Sequence, residues 1–192
     1  MVNVNLKVLL VLPALAALYG CQAALFAGTV GGAAAAHDQR STGTMIDDQG
    51  IELKAAKANY EDDELRQQTH INVTSFNYIV LVTGEAPTPE LKQRMITIVE
   101  NIPKVSKVYD EVTVAEPTSM ISRSSDSYIT AKVKTKLFTV PEFDATRVKV
   151  VTEKGVVYLM GIVTQEEGKK AADAARTASG VQKIVKLFEY TD

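Results

Sequence analysis

Two stretches of the chain carry the same order of hydrophobic and polar patterns. In the later one, Ile129, Val133 and Leu137 recur every four residues, which predicts an amphipathic helix from about Ser127 to Leu137. Ser125 or Asp126 is placed to cap its start, and Pro141 closes the segment. Arg147 to Thr152 then alternates, the turn Glu153-Lys154-Gly155 follows, and Val156 to Ile162 is rich in β-formers, so the two runs predict a hairpin. Thr164-Gln165-Glu166-Glu167 reads as a capping box, in which the Thr164 hydroxyl accepts from the third helical amide and Glu167 reaches back. The helix it opens is predicted to run to about Ser179, with Gly180 ending it. Ala171, Ala174, Ala175 and Ala178 give that helix a face small enough to pack closely on a sheet. Val181 to Tyr190 is the last strand.

The earlier stretch follows the same plan. Aligning Gly84 with Gly161 sets an offset of 161 − 84 = 77 and places Ile79-Val80-Leu81-Val82 on Val156-Val157-Tyr158-Leu159. Asp47 or Asp48 is expected to start a helix carrying Ile51, Ala55 and Ala58. His70 to Ser75 pairs with Ile79 to Gly84 across Phe76-Asn77-Tyr78. Thr88 caps a helix with Pro89 in the favoured first position, Ile102-Pro103 ends it, and Lys104 to Val114 is the third strand. The fold class is therefore α+β, with two αββαβ units. Gly84 and Gly161 each follow an apolar strand and are expected to be structural, permitting a special backbone angle or a close approach. Units this small have limited cores, so the two are expected to pack on each other or to be only modestly stable alone.

The N-terminus has a different pattern. A short segment with one positive charge, Lys7, precedes the apolar run Val8 to Leu18, which suits a signal sequence and falls short of the ~20 residues of a spanning helix. Leu18-Tyr19-Gly20-Cys21 resembles the lipobox of bacterial lipoproteins, with Tyr19 in place of the usual small residue. The resemblance implies cleavage after Gly20 and acylation of Cys21. Several acyl chains, at ~0.8 kcal/mol per buried CH₂, attach a protein stably where a single chain is marginal. Gln22 lacks the retention signal that Asp provides there, which by analogy favours the outer membrane. Two alternatives remain: Cys21 as an ordinary buried thiol, and Val8 to Ala36 as an uncleaved span. The Ala/Gly-rich stretch after Cys21 otherwise reads as a tether.

Composition narrows the functions. With 21 Lys and Arg against 23 Asp and Glu, the formal charge is −2, unlike the basic balance of a dedicated nucleic-acid binder. One Cys forms no internal disulfide and builds no Cys-rich zinc site, and two His leave little for a metal cluster. Metalloprotease, nucleophile-elbow, phosphate-loop and redox motifs are all missing, so neither a cofactor nor catalysis is implied. His37 falls in the tether, and His70 begins a strand.

The overall charge conceals an asymmetry. Residues 44–114 hold 7 basic and 12 acidic side chains, a net of −5, whereas residues 123–192 hold 12 and 9, a net of +3. The basic excess gathers on the first helix of the second unit, at Arg123, Lys132, Lys134 and Lys136. Tyr128 and Lys132 lie together beside the apolar stripe, Lys136 lies close to it, and Lys134 points elsewhere. Lysines with an aromatic ring on one outward flank suit an anionic bilayer surface, where each Lys contributes about 1 kcal/mol. The competing reading is an ordinary solvated helix face. The acidic run Glu61-Asp62-Asp63-Glu64 reads as solvated charge, with a protein contact as its alternative.

A lipobox, a tether and two αββαβ units with a Gly closing each second strand resemble the dual BON-domain outer-membrane lipoproteins. Asp38-Gln39-Arg40-Ser41-Thr42-Gly43-Thr44, His70-Ile71-Asn72-Val73-Thr74, Lys132-Val133-Lys134, Val148-Lys149-Val150, Val157-Tyr158-Leu159-Met160-Gly161 and Ser179-Gly180-Val181 carry the resemblance over nearly all of the mature chain. It implies a three-stranded mixed sheet with two helices in each unit. The corresponding organisation is a signal peptide at 1–20, a lipidated tether at 21–43, BON domains at 44–114 and 123–192, and a linker at 115–122. It also implies a non-enzymatic envelope protein on the periplasmic face of the outer membrane. The second domain would bind anionic phospholipid (phosphatidylglycerol or cardiolipin) through Arg123, Tyr128, Ile129, Lys132, Lys134 and Lys136, and the protein would support membrane integrity. The alternative is a protein-interaction or chaperone-like factor in outer-membrane protein assembly.

Overall fold

The computed structural model describes residues 38–118 and 120–192; Cys21 and the expected signal peptide lie outside them. The first half runs α1 (Thr42–Glu61), α2 (Asp63–Gln68), β1 (His70–Phe76), β2 (Ile79–Ala86), α3 (Pro89–Glu100) and β3 (Lys107–Val114). The second runs α4 (Met120–Phe138), a 3-10 turn (Ala145–Arg147), β4 (Val148–Glu153), β5 (Val156–Val163), α5 (Gln165–Arg176) and β6 (Lys183–Tyr190). Each half forms a mixed three-stranded sheet, ordered β1-β2-β3 and β4-β5-β6. The hairpin pair is antiparallel, and the third strand joins in parallel after its crossover helix.

Helices cover one face of each sheet. In the first half Ile51, Ala55, Leu65, Val80, Val82, Met95 and Val99 form the core beneath α1 and α3. In the second, Ile129, Val133 and Leu137 of α4 meet Val148, Val157, Leu159 and the alanines of α5. The other faces of the two sheets pack on each other through Phe76, Leu81, Tyr158, Met160 and Leu187. The central strands β2 and β5 are thus buried on both sides, and for this reason they read as nearly continuous apolar runs.

Several boundaries differ from the sequence-based expectation. Helix α1 starts at Thr42, inside the expected tether, with the Ser41 side chain accepting from the Thr44 amide. Asp48 is buried well inside α1 and caps nothing; its carboxylate accepts from the Asn77 and Tyr78 amides at 2.8 and 2.9 Å and from the Ser75 hydroxyl at 2.6 Å. Helix α4 likewise starts at Met120, within the expected linker, and Asp126 lies inside it. Asp126 accepts from the Lys154 and Gly155 amides, each at 2.9 Å. In both halves, then, a buried aspartate on the first helix clasps the hairpin turn. The short helix α2 was not anticipated; Asp62 caps it through the Glu64 and Leu65 amides. Strands β3 and β6 start later than expected, at Lys107 and Lys183, and α5 ends at Arg176.

Gly84 and Gly161 do not close their strands but lie within β2 and β5, two residues before each ends, and both answer to backbone proximity. Gly84 has φ +114°, and a Cβ there would stand 1.9 Å from the His70 carbonyl oxygen. At Gly161 the corresponding distance is 2.6 Å to the Arg147 carbonyl oxygen. The capping box at Thr164 and Glu167 has both of its hydrogen bonds.

Candidate functional site

Helix α4 has two apolar faces. The inward face is Ile129, Val133 and Leu137, at most 6% exposed. Ile129 therefore belongs to the core, packed against Gly180, and is corrected from a lipid-contacting residue to a support for the helix. The outward face is Tyr128, Ala131, Thr135 and Phe138, all exposed and spaced so that they lie along one side of the helix. Tyr128 is 63% exposed and Phe138 is 67% exposed. The Thr135 hydroxyl donates to the Ala131 carbonyl at 3.0 Å, so its polar group is already satisfied by the helix. Phe138 was missed from sequence because the apolar stripe guiding the helix assignment ends at Leu137.

Cations flank this outward face. The Lys132 ammonium lies 4.1 Å from the centroid of the Tyr128 ring and donates to the Ser179 hydroxyl at 2.6 Å. Lys136 is exposed on the same flank and Lys134 on the other. None of the three has a carboxylate partner among the described residues. Elsewhere in this half, Arg147, Lys149, Lys154, Lys170 and Arg176 are each paired with an acid, whereas Lys169, Lys183 and Lys186 also have no carboxylate partner among the described residues, so what sets the α4 lysines apart is the aromatic rings between them. A shallow groove of about 420 Å³ runs between α4 and the end of α5, lined by Tyr128, Lys132, Lys136, Thr177 and Ser179. Its walls combine an aromatic edge, ammonium groups without carboxylate partners and hydroxyls, a chemistry suited to an anionic headgroup with apolar chains beneath it.

Arg123 is not part of this arrangement. It lies roughly 140° around the helix from Tyr128. Its guanidinium stands 3.2 Å from His70 Nδ1, across the boundary with the first half. Burial, followed by the positive charge of Arg123, lowers the His70 pKa from its ordinary value. The grouping of Arg123 with the lysines is corrected accordingly: it shares their helix but faces the other domain.

Further polar ties cross that boundary. Glu85 is fully buried; burial alone would raise its pKa, but hydrogen bonds from Lys154 and Thr118 outweigh that and lower it. Lys154 reaches Glu85 at 2.9 Å, and Lys149 reaches Glu52 at 2.8 Å. Glu153, also buried, has its pKa raised by burial first and then by the charges of Glu85 and Asp126. The acidic run before β1 is partly tied down as well, with Asp62 and Glu64 both paired with Arg94. Among the described residues no cluster of His, Asp or Glu could hold a metal ion, and no helix is long and apolar enough to cross a membrane.

The BON-domain family profile matches residues 47–116 and 125–192, and the chain belongs to that family as a protein with two BON domains. Over 186 residues it is 38% identical to the outer membrane lipoprotein DolP of Haemophilus influenzae, covering 97% of this chain and 96% of that one. It is 35% identical over 153 residues to the 21 kDa hemolysin of Actinobacillus pleuropneumoniae, covering 80% and 79% of the two chains. Osmotically-inducible protein Y of Escherichia coli is 26% identical over 145 residues, covering 74% and 72%. The chain is accordingly a DolP-like outer-membrane lipoprotein.

Proposed function

We propose that the second BON domain holds the protein on anionic phospholipid, such as phosphatidylglycerol or cardiolipin, and thereby supports outer-membrane integrity. The observation that carries this reading is the outward face of α4, where two exposed aromatic rings stand among three lysines without acidic partners. Tyr128 and Phe138 would enter the headgroup region while Lys132, Lys134 and Lys136 meet phosphate. Each Lys near such a surface contributes about 1 kcal/mol, so the face binds weakly by itself. Acylation at Cys21, which belongs to the same proposal, would keep the domain near the bilayer and make weak contacts sufficient through effective concentration.

Flotation of the soluble form, without leader and Cys21, on vesicles tests the reading. Binding is expected on phosphatidylglycerol or cardiolipin vesicles and not on phosphatidylcholine, and it should weaken with added salt. Lys132→Glu and Tyr128→Asp should each reduce it. Equal flotation on anionic and zwitterionic vesicles would contradict the proposal.

A further inference from the structure

Strand β1 lies at an edge of its sheet. Its hairpin register, closing at Phe76 opposite Ile79, turns the backbone of alternate residues away from β2. Ser75 marks that outward side: its N–H donates to Glu52 at 2.8 Å, and its carbonyl accepts from Lys149 at 3.2 Å. Ile71 and Val73 share its orientation, but their outward N–H and C=O groups have no partner among the described residues. Natural sheets usually blunt such an edge; here only the Ser75 end is covered.

Both sides of the open edge have room for side chains. On the helix side, a groove of about 460 Å³ is lined by Ala55, Ile71, Val73 and Met95, with exposed Leu53 and Tyr60 at its rim. The Asn59 Oδ1 atom in this groove is buried and without a hydrogen-bond partner. On the sheet-packing side, a second groove of about 450 Å³ is polar and charged, lined by His70, Asn72, Thr74, Arg123, Lys149 and Glu153. Asn72 borders both grooves, so the strand edge stands between them.

We infer that this edge accepts an extended segment of another protein by strand addition. Main-chain hydrogen bonds to Ile71 and Val73 supply affinity, and the two-residue period of the added strand places alternate side chains in the two grooves. The fitting segment is apolar on the α1 side and small and polar on the other. Arg123, which stands beside His70 at the open end of the edge and has no carboxylate partner among the described residues, selects an acidic residue at that end of the segment. This inference is independent of the lipid reading, because the edge belongs to the first domain and the lysine face to the second.

The test uses the full chain in zwitterionic detergent micelles and a synthetic peptide of alternating Val and Thr with Glu at one end. Amide hydrogen exchange read by NMR should slow at Ile71 and Val73 by about tenfold or more when the peptide is added. Leu53→Asp, at an exposed rim position that leaves the fold intact, should weaken peptide binding about tenfold, and Tyr60→Ala should weaken it less. A peptide N-methylated at alternate residues, unable to donate to the edge, should not bind. Unchanged exchange at Ile71 and Val73, or equal binding of the N-methylated peptide, would overturn the inference. Protection that rises with protein concentration without peptide would assign the edge to a second copy, and protection by anionic vesicles alone would assign it to lipid; either also overturns it.

Discussion

Asp48 and Asp126 show how single side chains hold each domain. Each carboxylate receives two amides from a hairpin turn whose residues have positive φ, Asn77 and Tyr78 in one case and Lys154 and Gly155 in the other. A buried amide left without its acceptor costs ~1–3 kcal/mol. Asp126→Ala is therefore expected to destabilise the protein by about 2 kcal/mol or more in chemical denaturation. Glu153 has the opposite sign. Its raised pKa means that the folded state holds its proton more tightly, so ionisation removes stability as pH rises through the folded value. Glu153→Gln should then stabilise the protein at neutral pH, with the gain shrinking toward acid, where the native carboxyl is already protonated; a gain that grows toward acid would contradict this assignment. The Thr164 capping box was legible because both of its partners are local. The aspartate clasps were not, because their partners lie about thirty positions away and Asp is equally favoured at a helix start.

Helix α4 was legible on the side that packs and much less so elsewhere. The four-residue recurrence of Ile129, Val133 and Leu137 marked its core face correctly. Its first turns escaped notice because residues 115–122 read as linker and Ser125 or Asp126 as the cap, whereas the helix starts at Met120 and Arg123, though placed on the helix, turns toward His70 of the other domain. Periodicity also cannot distinguish an outward aromatic from a core residue just past a predicted end, as Phe138 shows. Because Phe138 is exposed, Phe138→Asp should leave thermal stability nearly unchanged while reducing binding to anionic vesicles as much as Tyr128→Asp does. A large loss of stability would mean that the ring packs rather than projects.

The two BON domains act as one body through their sheets. Phe76 and Leu81 from one meet Tyr158, Met160 and Leu187 from the other, and Lys149 and Lys154 bind Glu52 and Glu85 across the boundary. The expectation that units this small would pack together rested on their size; the sequence did not show which faces meet, because a strand buried on both sides has lost the alternation that distinguishes its faces. Leu81→Ala should cost about 2–5 kcal/mol and lower the unfolding of both domains in a single transition. Two separate transitions would contradict a shared core. With the first domain buttressing the second from behind, the lysine face of α4 is left outward. The most direct test of that face is a residue-resolved NMR titration with anionic and with zwitterionic vesicles. The account predicts that Tyr128, Lys132, Lys136 and Phe138 respond together to the anionic lipid and that Arg123 does not. A response centred on the first domain, or the same response to both lipids, would contradict it.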